Sequence, residues 1–391
     1  MKIAIITAGT LPVPAVRGGA VETLVEFYLE HNACTRLHDI TVYSIHDPRA
    51  VALVKGREGA FRFYPTDGFW YKVRRKVYSL THPGMYYDAH IEYFLVNTLK
   101  DVADGKYDVI VVENRPGFVL PLSRATEAPI ILHLHNDLLN SGTRLGSDIL
   151  SACKGVVTVS DYIKRRVETI GAAAADKVLT VKNAIDVKAF TRGAGARQHP
   201  GGQGGEPFRI VYIGRLVPEK GLLEAIGAVA ALDDLDLQLV VIGNSIYGEG
   251  IMDTDYIREV KAAAGRIDGR VVFTGFVPYS EVPERLHEAD MALLLSMWEE
   301  PAGLTVIECM AAGLPVVTTR AGGIPEYADD ACAIFVDRRN AVAEAAEAVR
   351  RLYNDKALRT KLSMAGQHRS GMFTKERYAE EFFEAVATLC H

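Results

Sequence analysis

Two stretches of this 391-residue chain concentrate residues able to hold an anion and a polyol together. The first is Tyr212-Ile-Gly-Arg-Leu-Val-Pro-Glu-Lys-Gly221, where an apolar run ends at Gly214 and a helix-forming run opens beyond Gly221. Arg215 and Lys220 flank the turn between them. Cations beside a helix N-terminus form an anion site, because unpaired N–H groups and the helix dipole add to their charge. A solvated Arg–Glu–Lys turn is the plainer alternative. The second stretch is Ser296 to Thr319, in which Glu300 and Glu308 stand eight residues apart. In one continuous helix that spacing means roughly 80° of rotation and ~12 Å of rise, too far for one small ligand. Pro301 and Gly303 interrupt the run, so a helix is expected to start near Leu304–Thr305, with Glu300 in the loop before it and Glu308 in its first turn. The amides of Gly303, Leu304 and Thr305 then point outward unpaired. Carboxylates for hydroxyls beside amides for an anion suit a polyhydroxylated phosphoester. A helix cap with an acidic first turn would need nothing of Glu300.

The first half offers less. Arg17-Gly-Gly-Ala-Val-Glu22 follows an apolar run and opens a helix, so Gly19 lets an anion approach the backbone closely. Ile131-Leu-His-Leu-His-Asn-Asp137 ends another apolar run and carries His133 and His135. The H-x-H pair invites a metal, but no third ligand stands at a suitable spacing, so no metal is expected. Asp234-Leu-Asp236 and Asp253-Thr-Asp255 read as turn residues rather than as holders of a divalent ion. The five cysteines are scattered and form no C-x-x-C, which argues against a disulfide framework and for a reducing, cytoplasmic location.

These residues need a scaffold that delivers loops at strand ends. Near-continuous Val/Ile/Leu runs at Lys2–Thr7, Ile40–Tyr43, Val109–Glu113, Ile130–His135, Val156–Ser160 and Val178–Val181 read as strands buried on both faces. Ile210–Gly214, Leu237–Gly243, Val271–Thr274, Met291–Leu295, Pro315–Thr319 and Cys332–Val336 repeat the pattern. Helical stretches lie between them, so the order predicts a doubly wound α/β fold twice over. The Gly/Pro/Gln-rich stretch from Arg192 to Pro207 reads as the linker. Domain boundaries are expected at 1–185 and 186–373, with an amphipathic helix over 374–391. Net charge is −5, basic in the first half and acidic in the second, which fits poorly with nucleic acid. Phe69-Trp-Tyr-Lys-Val-Arg-Arg-Lys-Val-Tyr78 mixes four cations with aromatics. It reads either as a peripheral contact with an anionic membrane or as a packed helix with solvated charges.

Gly214-Arg-Leu-x3-Lys-Gly221 followed by Glu300-Pro-x-Gly-Leu-x3-Glu308 resembles the paired signature of the retaining GT-B glycosyltransferases, family 4-like (group 1). Phe273–Pro278, Ala311–Val316 and Gly322–Glu326 are similar to that family in order and spacing. The resemblance implies two Rossmann-like domains facing a central cleft, and transfer of a hexose-type sugar from a nucleotide-diphosphate donor, by default UDP, to a glycan or lipid-linked acceptor in polysaccharide or glycolipid assembly. It assigns Arg215 and Lys220 to the diphosphate, Glu308 to the ribose and Glu300 to the donor sugar. Gly303, Leu304 and Thr305 would offer amides, Gly275 and Val277 would border the base, Gly19 the diphosphate, and His135 would face the donor sugar. No metal or other cofactor is implied. The cytoplasmic location read from the cysteines narrows to the inner face of the plasma membrane if Phe69–Tyr78 meets lipid. An epimerase or hydrolase of the same fold, or a non-catalytic sugar-nucleotide-binding protein, are the competing readings. Ala302 and Asn183-Ala184 depart from the family pattern without removing a charged group.

Overall fold

The computed structural model describes residues 1–56, 60–66, 68–82, 84–191, 205–244, 254–267 and 269–391. Most of the expected linker (192–204) and Asp253 lie outside these residues. The chain divides into two compact units, Met1–Lys182 with Glu376–His391, and Asn183–Lys375.

The first unit holds one parallel sheet of β1 (Lys2–Ile6), β2 (Asp39–Ile45), β3 (Phe61–Tyr64), β4 (Val109–Glu113), β5 (Ile130–Leu134), β6 (Gly155–Thr158) and β7 (Val178–Thr180), in the order β3-β2-β1-β4-β5-β6-β7. The second unit's sheet contains β8 (Phe208–Ile213), β9 (Leu237–Ile242), β10 (Val271–Gly275), β11 (Met291–Leu294), β12 (Val316–Thr319) and β13 (Ala333–Val336), ordered β10-β9-β8-β11-β12-β13. Both are doubly wound. The direction of winding reverses between β1 and β4 in one sheet and between β8 and β11 in the other. Ligands of such sheets bind beyond the carboxyl ends of the strands at this reversal.

Most strands are apolar on both faces because both are covered. In the second unit Ile210 and Tyr212 of β8 enter one core cluster with Met291 and Leu293, while Val211 enters the opposite one with Ala292 and Leu294. Two strands depart from the expected pattern. β3 is absent from the sequence expectation because Arg62 interrupts a run of only four residues. β10 is expected to be buried on both faces, yet Val272 and Phe273 are exposed, because β10 forms the edge of its sheet.

Six helices position or back the candidate residues: α1 (Ala20–Thr35), α2 (Phe69–Thr81), α3 (Ala89–Asp104), α4 (Leu222–Ala230), α5 (Leu304–Ala311) and α6 (Lys375–Cys390). Tyr378, Phe382, Phe383 and Val386 of α6 are all buried. The Phe382 ring stacks on Tyr28 of α1 at 4.4 Å, so the end of the chain completes the first unit's core.

Candidate functional site

In the second unit the two loops singled out from the sequence leave adjacent strands at the reversal. Gly214–Gly221 follows β8, and Ser296–Gly303 follows β11. The first loop is pinned by backbone bonds from Gly214 N–H to Ile242 O (3.0 Å) and Leu216 N–H to Asn244 O (3.0 Å), and by the Tyr212 hydroxyl on Arg215 O (3.1 Å). It closes in a single 3-10 turn, Pro218–Lys220, and reaches α4 through Gly221 at φ +67°. A Cβ there would stand 1.8 Å from the Leu295 carbonyl oxygen, so only glycine fits between the two loops.

The turn delivers Lys220 to the second loop. Its Nζ donates to Glu300 Oε1 at 2.5 Å and lies 5.9 Å from the Trp298 ring centroid. Ser296 Oγ donates to the same oxygen, also at 2.5 Å. Both donors use Oε1, and Oε2 takes no hydrogen bond among the described residues. The Glu300 backbone is held as firmly. Its carbonyl accepts from Gly323 N–H at 2.7 Å, and a Cβ on Gly322 would come 2.1 Å from that carbonyl oxygen.

Helix α5 begins at Leu304 with Gly303 as a cap that supplies no side-chain acceptor, so its first N–H groups face out without intrahelical partners. Glu308 is the fifth residue of α5, one step past the first turn that the sequence spacing suggests, because the helix starts at the earliest residue considered. Glu308 is 6% exposed and accepts the Tyr279 hydroxyl on Oε1 at 3.0 Å. Burial pushes its carboxyl up to about 7, and the tyrosine bond offsets this only in part. Sequence reasoning misses Tyr279 because nothing in Phe276-Val-Pro-Tyr279 marks a hydroxyl aimed at a helix. Gly275 ends β10 at φ +73° with open space around its Cβ position, and Val277 is half-buried.

The sign of the Glu308 effect is testable. Its folded pKa lies above the ordinary 4.5, so the folded state keeps a proton that the unfolded chain has already released. Stability conferred by that group is therefore full below about pH 4.5 and falls as pH rises to 7. Denaturant titrations of the unliganded chain from pH 4.5 to 8 should show this decline, and Glu308→Gln should make it shallower; an unchanged slope contradicts the assignment.

In the first unit Gly19, at φ +116°, caps α1. Its Cβ position is only 2.2 Å from Glu22 Oε2, and burial pushes the Glu22 carboxyl up to about 7. Arg17 is committed to Asp47 at 2.7 Å. His135 follows β5 and is 6% exposed, while His133 is fully buried. The third partner missing from the H-x-H reading is Glu113, the last residue of β4. The potential ligand atoms of Glu113, His133 and His135 lie within 4.8 Å of one another. Glu113 accepts the Tyr28 hydroxyl at 2.9 Å, faces His135 Nε2 at 2.9 Å and has His133 Nδ1 at 3.1 Å. These are hydrogen-bond distances around one carboxylate. Burial works against its charge, but the surrounding donors outweigh burial and hold Glu113 below the usual carboxylate range. Burial lowers His135 to about 4, so its ring is neutral at pH 7. A carboxylate ending a buried strand is the only signal in the sequence. Its partners sit 20, 22 and 85 residues away, so no local spacing reveals it.

Of the two D-x-D runs, Asp234 is held by both guanidinium nitrogens of Arg350 (2.5 and 2.7 Å) and Asp255 pairs with Arg258, so both serve as surface ion pairs.

Residues 198–369 match the family model of glycosyl transferases group 1. The chain is 28% identical over 346 residues to spore coat protein SA of Bacillus subtilis, covering 84% of each. It is 33% identical over 148 residues to 2-deoxystreptamine glucosyltransferase of Streptomyces kanamyceticus, covering 38% of this chain and 37% of that one. The structure of Anabaena Alr3699/HepE in complex with UDP-glucose superposes with a TM-score of 0.75 at 18% identity, covering 99% of this chain and 100% of the other.

Proposed function

Because the chain is a GT-B fold protein related to the group 1 glycosyl transferases, we propose that it transfers a hexose from UDP-hexose to an acceptor hydroxyl with retention and without a metal ion. The observation that carries this reading is the Lys220–Glu300 pair at the sheet reversal, a cation for a leaving diphosphate fixed to a carboxylate with a free oxygen for a sugar hydroxyl. The acceptor oxygen forms its bond to the anomeric carbon on the face from which the diphosphate departs, and the departing phosphate oxygen takes the acceptor proton. Arg215, Lys220 and the α5 amides stabilise charge that grows on the diphosphate, as fixed dipoles and cations do in water-poor sites. Glu308 holds the ribose hydroxyls, Gly275 and Val277 border the base, and Gly19 and His135 are assigned to the diphosphate and the donor sugar. The UDP choice is supported by the UDP-glucose held in the Anabaena protein. Thermal shift of the full chain with UDP-, GDP-, ADP- and dTDP-sugars tests it. Stabilisation by UDP-sugars that survives EDTA is expected, and no shift with any of them overturns it.

We further propose that the acceptor is met at a lipid surface. No helix among the described residues is long and apolar enough to cross a membrane. On α2, however, Phe69 (72% exposed), Trp70, Val73, Val77 and Leu80 (75% exposed) fall within an arc of about 100° on a helical wheel. Exposed Lys72 and Lys76 flank one edge of this stripe and Arg74 the other. The opposite side packs Tyr71 and Tyr78 against Tyr93 of α3, with ring centroids 5.2 and 5.7 Å apart. Arg75 belongs to that inner side, its guanidinium 5.9 Å from the Tyr71 ring. An apolar stripe edged by cations suits an anionic lipid surface, with the enzyme working at the cytoplasmic face. At about 1 kcal/mol per cation, the charge reversal K72E/R74E/K76E should weaken binding to phosphatidylglycerol vesicles by at least ~10²-fold. Undiminished binding contradicts the membrane role.

A further inference from the structure

Glu113 is buried to zero exposure at the carboxyl end of β4, beside the reversal of the first sheet. Its three neighbours all come at it as donors. The Tyr28 hydroxyl takes Oε1, the His135 Nε2 takes Oε2, and His133 Nδ1 lies between them at 3.3 and 3.1 Å. A carboxylate offers no proton, so each imidazole nitrogen facing it must carry one. The other nitrogens, His133 Nε2 and His135 Nδ1, are then bare acceptors, and both are buried without a hydrogen-bond partner. Leaving a buried acceptor unpaired costs about 1–3 kcal/mol, so such groups call for an explanation. For His133 the surroundings are apolar, with the Phe382 ring 5.1 Å away. His135 differs. It lies past the end of β5, on the edge of the sheet where ligands of doubly wound folds bind.

We propose that Glu113 is the positioning residue for His135, holding it as the Nε2–H tautomer so that Nδ1 is presented as an acceptor to a hydroxyl of the donor sugar. The hydroxyl then serves as donor to Nδ1, and its own oxygen stays free for other contacts. Tyr28 and Phe382 back this arrangement. The hydroxyl of Tyr28 fixes the far carboxylate oxygen, and Phe382 stacks on its ring. The inference rests on the reading that His135 meets the donor.

Glu113→Gln keeps the shape and inverts one contact. Its amide oxygen retains the Tyr28 bond, its NH2 faces His135 Nε2, and the imidazole must move its proton to Nδ1. A sugar hydroxyl then meets a donor where it needs an acceptor. Loss of the partner that orients a metal-bound histidine costs about 10–100-fold, and a fall of that order is expected here in turnover of UDP-sugar. Affinity for UDP alone, which has no sugar, should be unchanged.

Two measurements decide it. In the wild-type chain, 15N NMR of the histidine rings at pH 7 should show His135 Nδ1 as the unprotonated nitrogen. An Nδ1–H signal would overturn the proposal without any variant. In a double-mutant cycle, Glu113→Gln should lower turnover in the wild-type background and have no further effect in the His135→Ala background. Equal losses in both backgrounds would make Glu113 a merely structural residue and sink the idea. Should no UDP-sugar bind to the wild type, the donor reading fails on its own account, while the tautomer measurement still reports on Glu113.

Discussion

Lys220→Ala is expected to lower turnover of UDP-sugar on the order of 10²–10³-fold, the usual loss when one preorganised electrostatic stabiliser is removed. The effect has two sources. The ammonium group is the cation that a leaving diphosphate would meet, and its 2.5 Å bond fixes Glu300, which is 7% exposed. Without Lys220, Glu300 keeps the Ser296 hydroxyl on Oε1 and has no ion-pair partner left among the described residues. Steady-state kinetics of the variant check this, with UDP affinity measured separately. A small change in Michaelis constant with a large fall in turnover is the pattern of an interaction that strengthens in the transition state. Unchanged turnover would remove Lys220 from the mechanism.

The second large effect is on stability. Phe382→Ala should destabilise the first unit by about 3–5 kcal/mol, the range for a buried phenylalanine truncated in a packed core. Phe382 is fully buried, stacks on Tyr28 at 4.4 Å and meets Phe383 edge-on at 5.5 Å. Few atoms near it can collapse into the space, since its neighbours are aromatic rings fixed by their own contacts. Urea titrations with a probe in the first unit measure the change. A shift below about 1 kcal/mol would mean that α6 is peripheral to that core.

Much of the architecture is legible because buried parallel strands write themselves as apolar runs. The runs ending at Gly214 and Leu295 locate both loops of the second unit, and Pro301 with Gly303 separates Glu300 from the helix of Glu308. What stays hidden depends on tertiary position. Edge strands lose the two-faced pattern, as Val272 and Phe273 show. The Glu113 cluster joins residues from two strands, α1 and α6, and no local spacing connects Tyr28, Glu113, His135 and Phe382. Tyr279 reaches Glu308 across 29 residues. In Phe69–Tyr78 the mixture of cations and aromatics is evident, but only the packing of Tyr71 and Tyr78 on α3 reveals which face is left outward and that Arg75 does not belong to it.

The most direct test is the slow hydrolysis of UDP-glucose by the full chain in EDTA without acceptor, followed by 1H NMR from the first minutes. Release of UDP together with α-glucose, ahead of its conversion to the β-anomer, is the predicted result. Release of β-glucose first would contradict retention, dependence on an added divalent ion would contradict the metal-free diphosphate site, and absence of UDP release would contradict the donor assignment built on Lys220 and Glu300.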